Sequence, residues 1–185
     1  MKKSAQVHQG FTLVELLVVI AIIAILAAVV VLIINPLELT RRGRDAARLT
    51  DLSNLQNALN VAVQEATGSG AEGILCIGDP DKKFPCEGRS NTGTRVSDGS
   101  GWVKADLSSQ KSVSVPTLPI DPISPNDANN HYTYCAAGDA WEIDTVLESD
   151  QQKPKMVNDG GEDNTKYEVG SNLGLIKTAG GSCTY

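Results

Sequence analysis

The sequence predicts an α+β fold: a long N-terminal α-helix, apolar in its first half and amphipathic in its second, packed on a small antiparallel β-sheet with long loops. Three observations carry that expectation. Apolar side chains crowd the first fifth of the 185 residues and run unbroken from Leu16 to Ile34. From Leu49 to Ala66 they recur at spacings of three and four, the period of a helix face. Around Tyr134 and Trp141, two alternating runs flank Gly138-Asp139 as the strands of a hairpin do. The length fits one ordinary domain with an appendage, not two full ones. With 22 acidic and 16 basic residues, net charge −6, the chain lacks the basic footprint of a general nucleic-acid binder. The uneven apolar distribution excludes both a plain soluble globule and a polytopic membrane protein.

Residues 1–10 read as a leader whose charges are Lys2 and Lys3. The helix expected from Phe11 to Ile34 is roughly 36 Å long at the usual rise, enough to cross a bilayer core of about 30 Å. The two lysines favour an N-inside orientation, although Arg41, Arg42, Arg44 and Arg48 follow soon after. The run exceeds the ~7–15 residues of a cleaved signal core, although Ala24-Ile25-Leu26-Ala27 has the small residues of a cleavage site; a plain anchor and something more specific are the other readings. Glu15 decides between them. A carboxylate in the bilayer costs on the order of 2–3 kcal/mol or more unless it stays wet at the interface or finds a partner. Phe11 and Val19, one turn either side, offer no cation. Cleavage between Gly10 and Phe11 would create an α-amine four residues before Glu15, able to pair with the Glu15 carboxylate of a neighbouring helix.

The stretch Gly10-Phe11-Thr12-Leu13-Val14-Glu15-Leu16 behind a short basic leader resembles the class III signal of type IV pilins and type II secretion pseudopilins. The resemblance implies a pilin-like fold and a structural role rather than an enzymatic one. It implies that a prepilin peptidase cuts after Gly10 and N-methylates Phe11, and that Glu15 is the assembly glutamate. The partners it implies are copies of this chain, other pilins or pseudopilins, the inner-membrane assembly platform and membrane lipid. The implied location is the cytoplasmic membrane, single-pass with the head exported, then a filament in the periplasm or at the surface. No nucleic acid is required.

On this layout residues 11–35 form the membrane and filament-core helix, 36–67 an amphipathic stalk helix, and 68–185 the head. Pro36 is expected to kink or interrupt the helix, because it lacks an amide donor, and Gly43 is a second weak point. Leu49, Leu52, Leu55, Leu59, Ala62, Val63 and Ala66 form the buried stripe, which fades at Gly68-Ser69-Gly70. The contact is expected to start near Leu49, because Arg41, Arg44, Asp45 and Arg48 read as a solvated face with intrahelical pairs Arg41–Asp45 and Arg48–Asp51. Contact of that cluster with lipid headgroups is the other reading. Residues 71–115 read as loops with one or two short strands, anchored by Ile74-Leu75-Cys76-Ile77, Trp102-Val103 and Val113/Val115. Leu118-Pro119-Ile120-Asp121-Pro122 leads through an Asn126-Asp127 turn into the Tyr132-Thr133-Tyr134 strand. Trp141, Ile143 and Thr145 then alternate with Glu142 and Asp144. That order resembles the sheet of major pseudopilins. A last strand-like piece is Tyr167-Glu168-Val169, followed by a Gly-rich tail.

Cys76, Cys86, Cys135 and Cys183 fall on the exported side, where disulfides are the default; four cysteines allow three pairings, and no C-x-x-C pair suggests zinc. By resemblance to pilins that staple a C-terminal loop, Cys76–Cys86 and Cys135–Cys183 are the pairs assigned. The second would close a long loop worth roughly 3–4 kcal/mol. The acidic, glycine-containing run 158–164 has oxygen ligands of the kind Ca²⁺ takes but not the EF-hand spacing. The resemblance makes Asp159, Glu162 and Asp163 the calcium candidates, against a plain solvated acidic loop. No nucleophile elbow or Walker loop is present, and His131 reads as a surface or strand-edge residue. The sum is a filament subunit leaning to a type II secretion pseudopilin. A surface pilin for adhesion, motility or DNA uptake is the alternative, and a membrane-anchored binding protein that never polymerises is the reading from another class.

Overall fold

The computed structural model describes residues 10–66, 70–77, 85–123, 127–177 and 180–184. The leader through residue 9, Gly68-Ser69, the Asp79-Pro80 loop and Asn126 lie outside the described residues. The chain divides between Leu39 and Thr40 into two units.

In the first unit, α1 spans Leu13–Ile33. Its continuous Val, Ile, Leu and Ala leave no polar face, and none of its membrane-length stretch Leu13–Val31 is buried within the chain. Helix α1 ends just before Asn35, whose φ of 28° falls in the left-handed region that Asn tolerates better than most residues. Helix α2 restarts at Pro36 and runs to Glu65. Proline suits that first position, where its missing N–H is not needed, and the Asn35 carbonyl accepts the Glu38 and Leu39 amides at 3.1 and 3.3 Å. Gly43 does not interrupt α2.

The second unit is a four-stranded antiparallel sheet with α2 on one face. The strands are β1 (Cys86–Arg89), β2 (Thr133–Ala137), β3 (Ala140–Thr145) and β4 (Tyr167–Gly170), in spatial order β1-β2-β3-β4. Short helices α3 (Glu72–Leu75) and α4 (Pro154–Asn158) precede β1 and β4, and a parallel pair, β5 (Ile176–Lys177) with β6 (Cys183–Thr184), closes the tail. Strands β2 and β3 join through Gly138-Asp139, with Gly138 at φ 61° as a tight hairpin requires.

Alternation sends Tyr134, Ala136, Trp141, Ile143 and Val169 to the inner face, where they form one core with Leu52, Leu55, Ala58, Leu59 and Ala62 of α2. Trp102 enters the same core, its ring 5.9 Å from that of Tyr132 and its indole N–H donating to the Pro119 carbonyl at 3.0 Å. Strand β1 was not among the segments singled out by sequence. Its Cys-Glu-Gly-Arg has no apolar alternation, and Gly88 fits because a Cβ there would overlap the Trp102 carbonyl. The apolar run at Ile74–Ile77 ends α3 and turns; it forms no strand.

Two sequence expectations need correction. Asp45 and Arg48 are fully buried, so the contact starts a turn before Leu49 and the cluster is not a solvated face. Arg48 pairs with Asp45, while Asp51 instead accepts the Tyr132 hydroxyl at 2.9 Å. On the other side of the sheet Glu142 and Asp144 are buried as well, and Leu175 and Ile176 of the tail pack on that side beside Cys135. His131 is likewise buried, and burial together with nearby Lys166 and Arg89 lowers its pKa.

Candidate functional site

The N-terminal site is built from four residues around the start of α1. Gly10 and Phe11 precede the helix in irregular backbone and are exposed, Phe11 to 77%, so the bond between them is open to a peptidase. Thr12, at φ −81° and ψ 151°, is the N-cap. Its hydroxyl accepts the Glu15 amide at 3.3 Å, and Glu15 returns the favour through Oε2, accepting the Thr12 N–H at 2.8 Å and its hydroxyl at 2.6 Å. This is a capping box, which satisfies two of the amide donors that a helix start leaves open.

The capping box answers the question posed by Glu15. Before any neighbour arrives, its carboxylate is held by its own helix terminus, where the positive end of the helix dipole also favours it. Thr12 is the residue that sequence reasoning passed over. The signal was present as T-x-x-E ahead of an apolar run. After cleavage at Gly10, the new amine of Phe11 would stand next to Thr12, at the mouth of the same box.

In the head, the four cysteines form Cys76–Cys86 and Cys135–Cys183, each with Cα atoms 6.0 Å apart. The first ties the end of α3 to β1 in the inner core. The second fastens β6 to β2 on the outer face, where Leu175 and Ile176 pack against Ala137 and Ala140.

Asp159, Glu162 and Asp163 do not converge on a common point. Asp159 accepts the Gly161 amide at 3.0 Å and the Glu168 amide at 2.9 Å. Glu162 pairs with Lys177 of β5 at 2.5 Å, and Asp163 accepts the Thr165 amide and hydroxyl at 2.9 and 2.6 Å. Among the described residues no group of three His, Cys, Asp or Glu side chains could hold a metal ion. As arranged, these three do not fit a calcium ion; they close their own loop and tie it to β4 and the tail.

A denser charge cluster lies where sequence saw a solvated face. Arg48 donates to both carboxylate oxygens of Asp121, at 2.6 and 2.9 Å, to Asp45 at 2.9 Å and to Glu148 at 3.1 Å. Arg44 adds a 2.7 Å pair to Glu148, and Asp45 accepts the Glu148 and Ser149 amides. Burial pushes the Asp45 carboxyl up, but the hydrogen bonds from Ser149, Glu148 and Arg48 outweigh it and hold the group below its usual value. Burial works against the Arg48 charge too, and its carboxylate partners reverse that. The cluster joins α2 to the Asp121-Pro122 segment and to the chain after β3.

Comparison with family models places residues 6–31 within the prokaryotic N-terminal methylation motif, so the match covers Gly10 and Phe11, the capping box and most of α1. Comparisons with curated proteins and with solved structures returned no match.

Proposed function

We propose that this chain, which carries the methylation signal of type IV pilins and pseudopilins, is a filament subunit that does no chemistry of its own. A prepilin peptidase removes residues 1–10 and methylates Phe11. Helix α1 holds the subunit in the cytoplasmic membrane with residues 68–185 on the exported side, and then packs with the α1 helices of other copies in the filament core. The Phe11 amine of one subunit takes the Glu15 carboxylate of its neighbour, setting axial register. The observation that carries the reading is the single carboxylate at Glu15, inside the matched motif and four residues past a cleavable Gly10–Phe11 bond. A simple anchor uses it for nothing beyond the capping box.

The capping box supplies the energetic logic. In the isolated subunit Glu15 is satisfied by Thr12. Assembly exchanges one of those hydrogen bonds for an ion pair with the Phe11 amine in an apolar bundle, where a carboxylate needs a charged partner. The finer assignment is to a pseudopilin of a type II secretion-like machine, supported by the order of the Leu118–Pro122 segment, the Tyr134 strand and the Trp141 strand. Its partners are then further pseudopilins and the inner-membrane assembly platform.

The test is the intact mass of the mature chain after co-expression with a prepilin peptidase. A mass starting at Phe11 with one added methyl group is expected. A mass starting at Met1, or a cut beyond Ala27, would refute the reading.

A further inference from the structure

Asp51 is a half-buried carboxylate on α2 whose Oδ2 accepts the Tyr132 hydroxyl at 2.9 Å. Among the described residues no ion pair reaches it. Arg48 is taken by Asp45, Asp121 and Glu148, and nearby Arg95 gives its Nε to the Leu118 carbonyl at 2.9 Å. Burial raises the Asp51 carboxyl above its usual value, as it does for a charge short of compensation. The carboxylate lines a cavity of about 120 Å³ together with Asn54, Leu55, Val115, Thr117 and Pro119. That lining selects a kind of guest. Leu55, Val115 and Pro119 offer an apolar wall to a methylene stem. The open Asp51 oxygen, the Asn54 amide oxygen and the Thr117 hydroxyl offer three acceptors, one for each proton of an ammonium group. An arginine fork suits it less, because it pairs best with both oxygens of a carboxylate and one of these already holds Tyr132.

We propose that this cavity receives the Lys155 side chain of a second copy of this chain, so that neighbouring heads are joined Asp51 to Lys155. The inference rests on the filament reading, which supplies the second copy, and it names a contact between heads. Among the described lysines, Lys153 and Lys177 pair with Asp150 and Glu162, Lys111 lies beside Glu65, Lys104 is half-buried and Lys166 is buried. Lys155 is exposed on α4, and no ion pair among the described residues engages it. It lines a separate surface cavity with Gln56 of α2. Gln56 comes five positions after Asp51, so the two side chains leave the helix about 140° apart at 3.6 residues per turn. Lys155 and the Asp51 cavity therefore lie on opposite flanks of α2, and the lysine that enters must come from another copy. A contact between two different patches does not close a two-fold dimer. Repeated from copy to copy it propagates, and where the rotation does not close it builds an open helix.

The test uses filaments of the full chain co-expressed with a prepilin peptidase and an assembly platform. A water-soluble carbodiimide activates carboxylates and couples them to amines in contact, taking up the water released as its urea. Cross-linked chains are separated by size and mapped by proteolysis and mass spectrometry. A ladder of multimers is expected, with a branched peptide joining the Asp51 and Lys155 segments that is absent from the monomer band. Lys155→Gln should remove that peptide and Lys111→Gln should leave it. Asp51→Asn keeps an acceptor for Tyr132, so the fold is retained while the charge is lost. Asp51→Asn and Lys155→Gln should each reduce filament recovery, and the double variant no further than either alone. Filaments that never yield the branched peptide, or yield it only within monomers, overturn the contact and leave the filament reading standing. A double variant whose loss is the product of the two single losses overturns it as well, since uncoupled groups act independently. If the wild-type chain forms no filaments, the filament reading falls and this inference with it.

Discussion

Replacing Arg48 by methionine would keep most of the side-chain volume and remove its charge. Arg48 is 0% exposed and is shared by Asp45, Asp121 and Glu148. Asp45 retains the amides of Glu148 and Ser149, and Glu148 retains Arg44. Asp121 is the group left stranded: it is 3% exposed and, among the described residues, keeps the Ile123 amide at 2.9 Å. Breaking a buried pair by removing one partner costs about 3–5 kcal/mol, because the remaining charge stays buried without compensation. The upper end belongs to a carboxylate that loses two bonds at once, as Asp121 does. Urea unfolding followed by tryptophan fluorescence reads this directly, since Trp102 and Trp141 both sit in the core beside α2. Asp121→Asn in the same assay should cost less, about 1.5–3 kcal/mol, as expected for lost hydrogen bonds to a charged group. A loss below about 1 kcal/mol in Arg48→Met, the range of an exposed pair, would refute the argument that this cluster is a buried joint.

Other outcomes follow from the same geometry. Glu15→Ala should abolish filament formation and leave membrane insertion intact, and filaments seen by electron microscopy in that variant would remove the pairing step. Replacing Cys135 and Cys183 by serine should lower unfolding stability by roughly 3–4 kcal/mol by the loop-entropy estimate, measured by thermal melting against wild type. Burial, and then the Glu142 carboxylate beside it, raises Glu168 to about 9. A raised acid is neutral in the fold and ionised when unfolded, so it lowers stability as pH climbs from about 4 towards that value. Glu168→Gln should therefore be more stable than wild type at pH 8, and the gap should close by about pH 4. Melting the head with calcium and again with EGTA should give the same midpoint, because Asp159, Glu162 and Asp163 face different partners; a shift on chelation would show that they regroup around the ion.

What the sequence disclosed was whatever was local or physically odd. The apolar run, the α2 stripe and the Gly138-Asp139 hairpin each announce themselves within a dozen residues, and Glu15 stands out because nothing nearby excuses it. Arg48 was misread for the opposite reason. Its partners Asp121 and Glu148 lie 73 and 100 positions away, so the stretch 41–51 shows only alternating charge, which looks the same on a wet surface. The burial of Glu142 and Asp144 was hidden too, because alternation tells which residues share a face but not whether a tail lies across it. That tail is set by Cys135–Cys183 and by the Glu142 bonds to Leu175 and Ile176, both distant in sequence.

The Asp159 carboxylate also bears on how such subunits behave when crowded. An open sheet edge invites another sheet to add to it, the usual route by which concentrated β-proteins clump. Here Asp159 occupies the Glu168 amide of β4, one border strand. With that amide occupied from within, the β4 border has one donor fewer to offer a strand from another molecule.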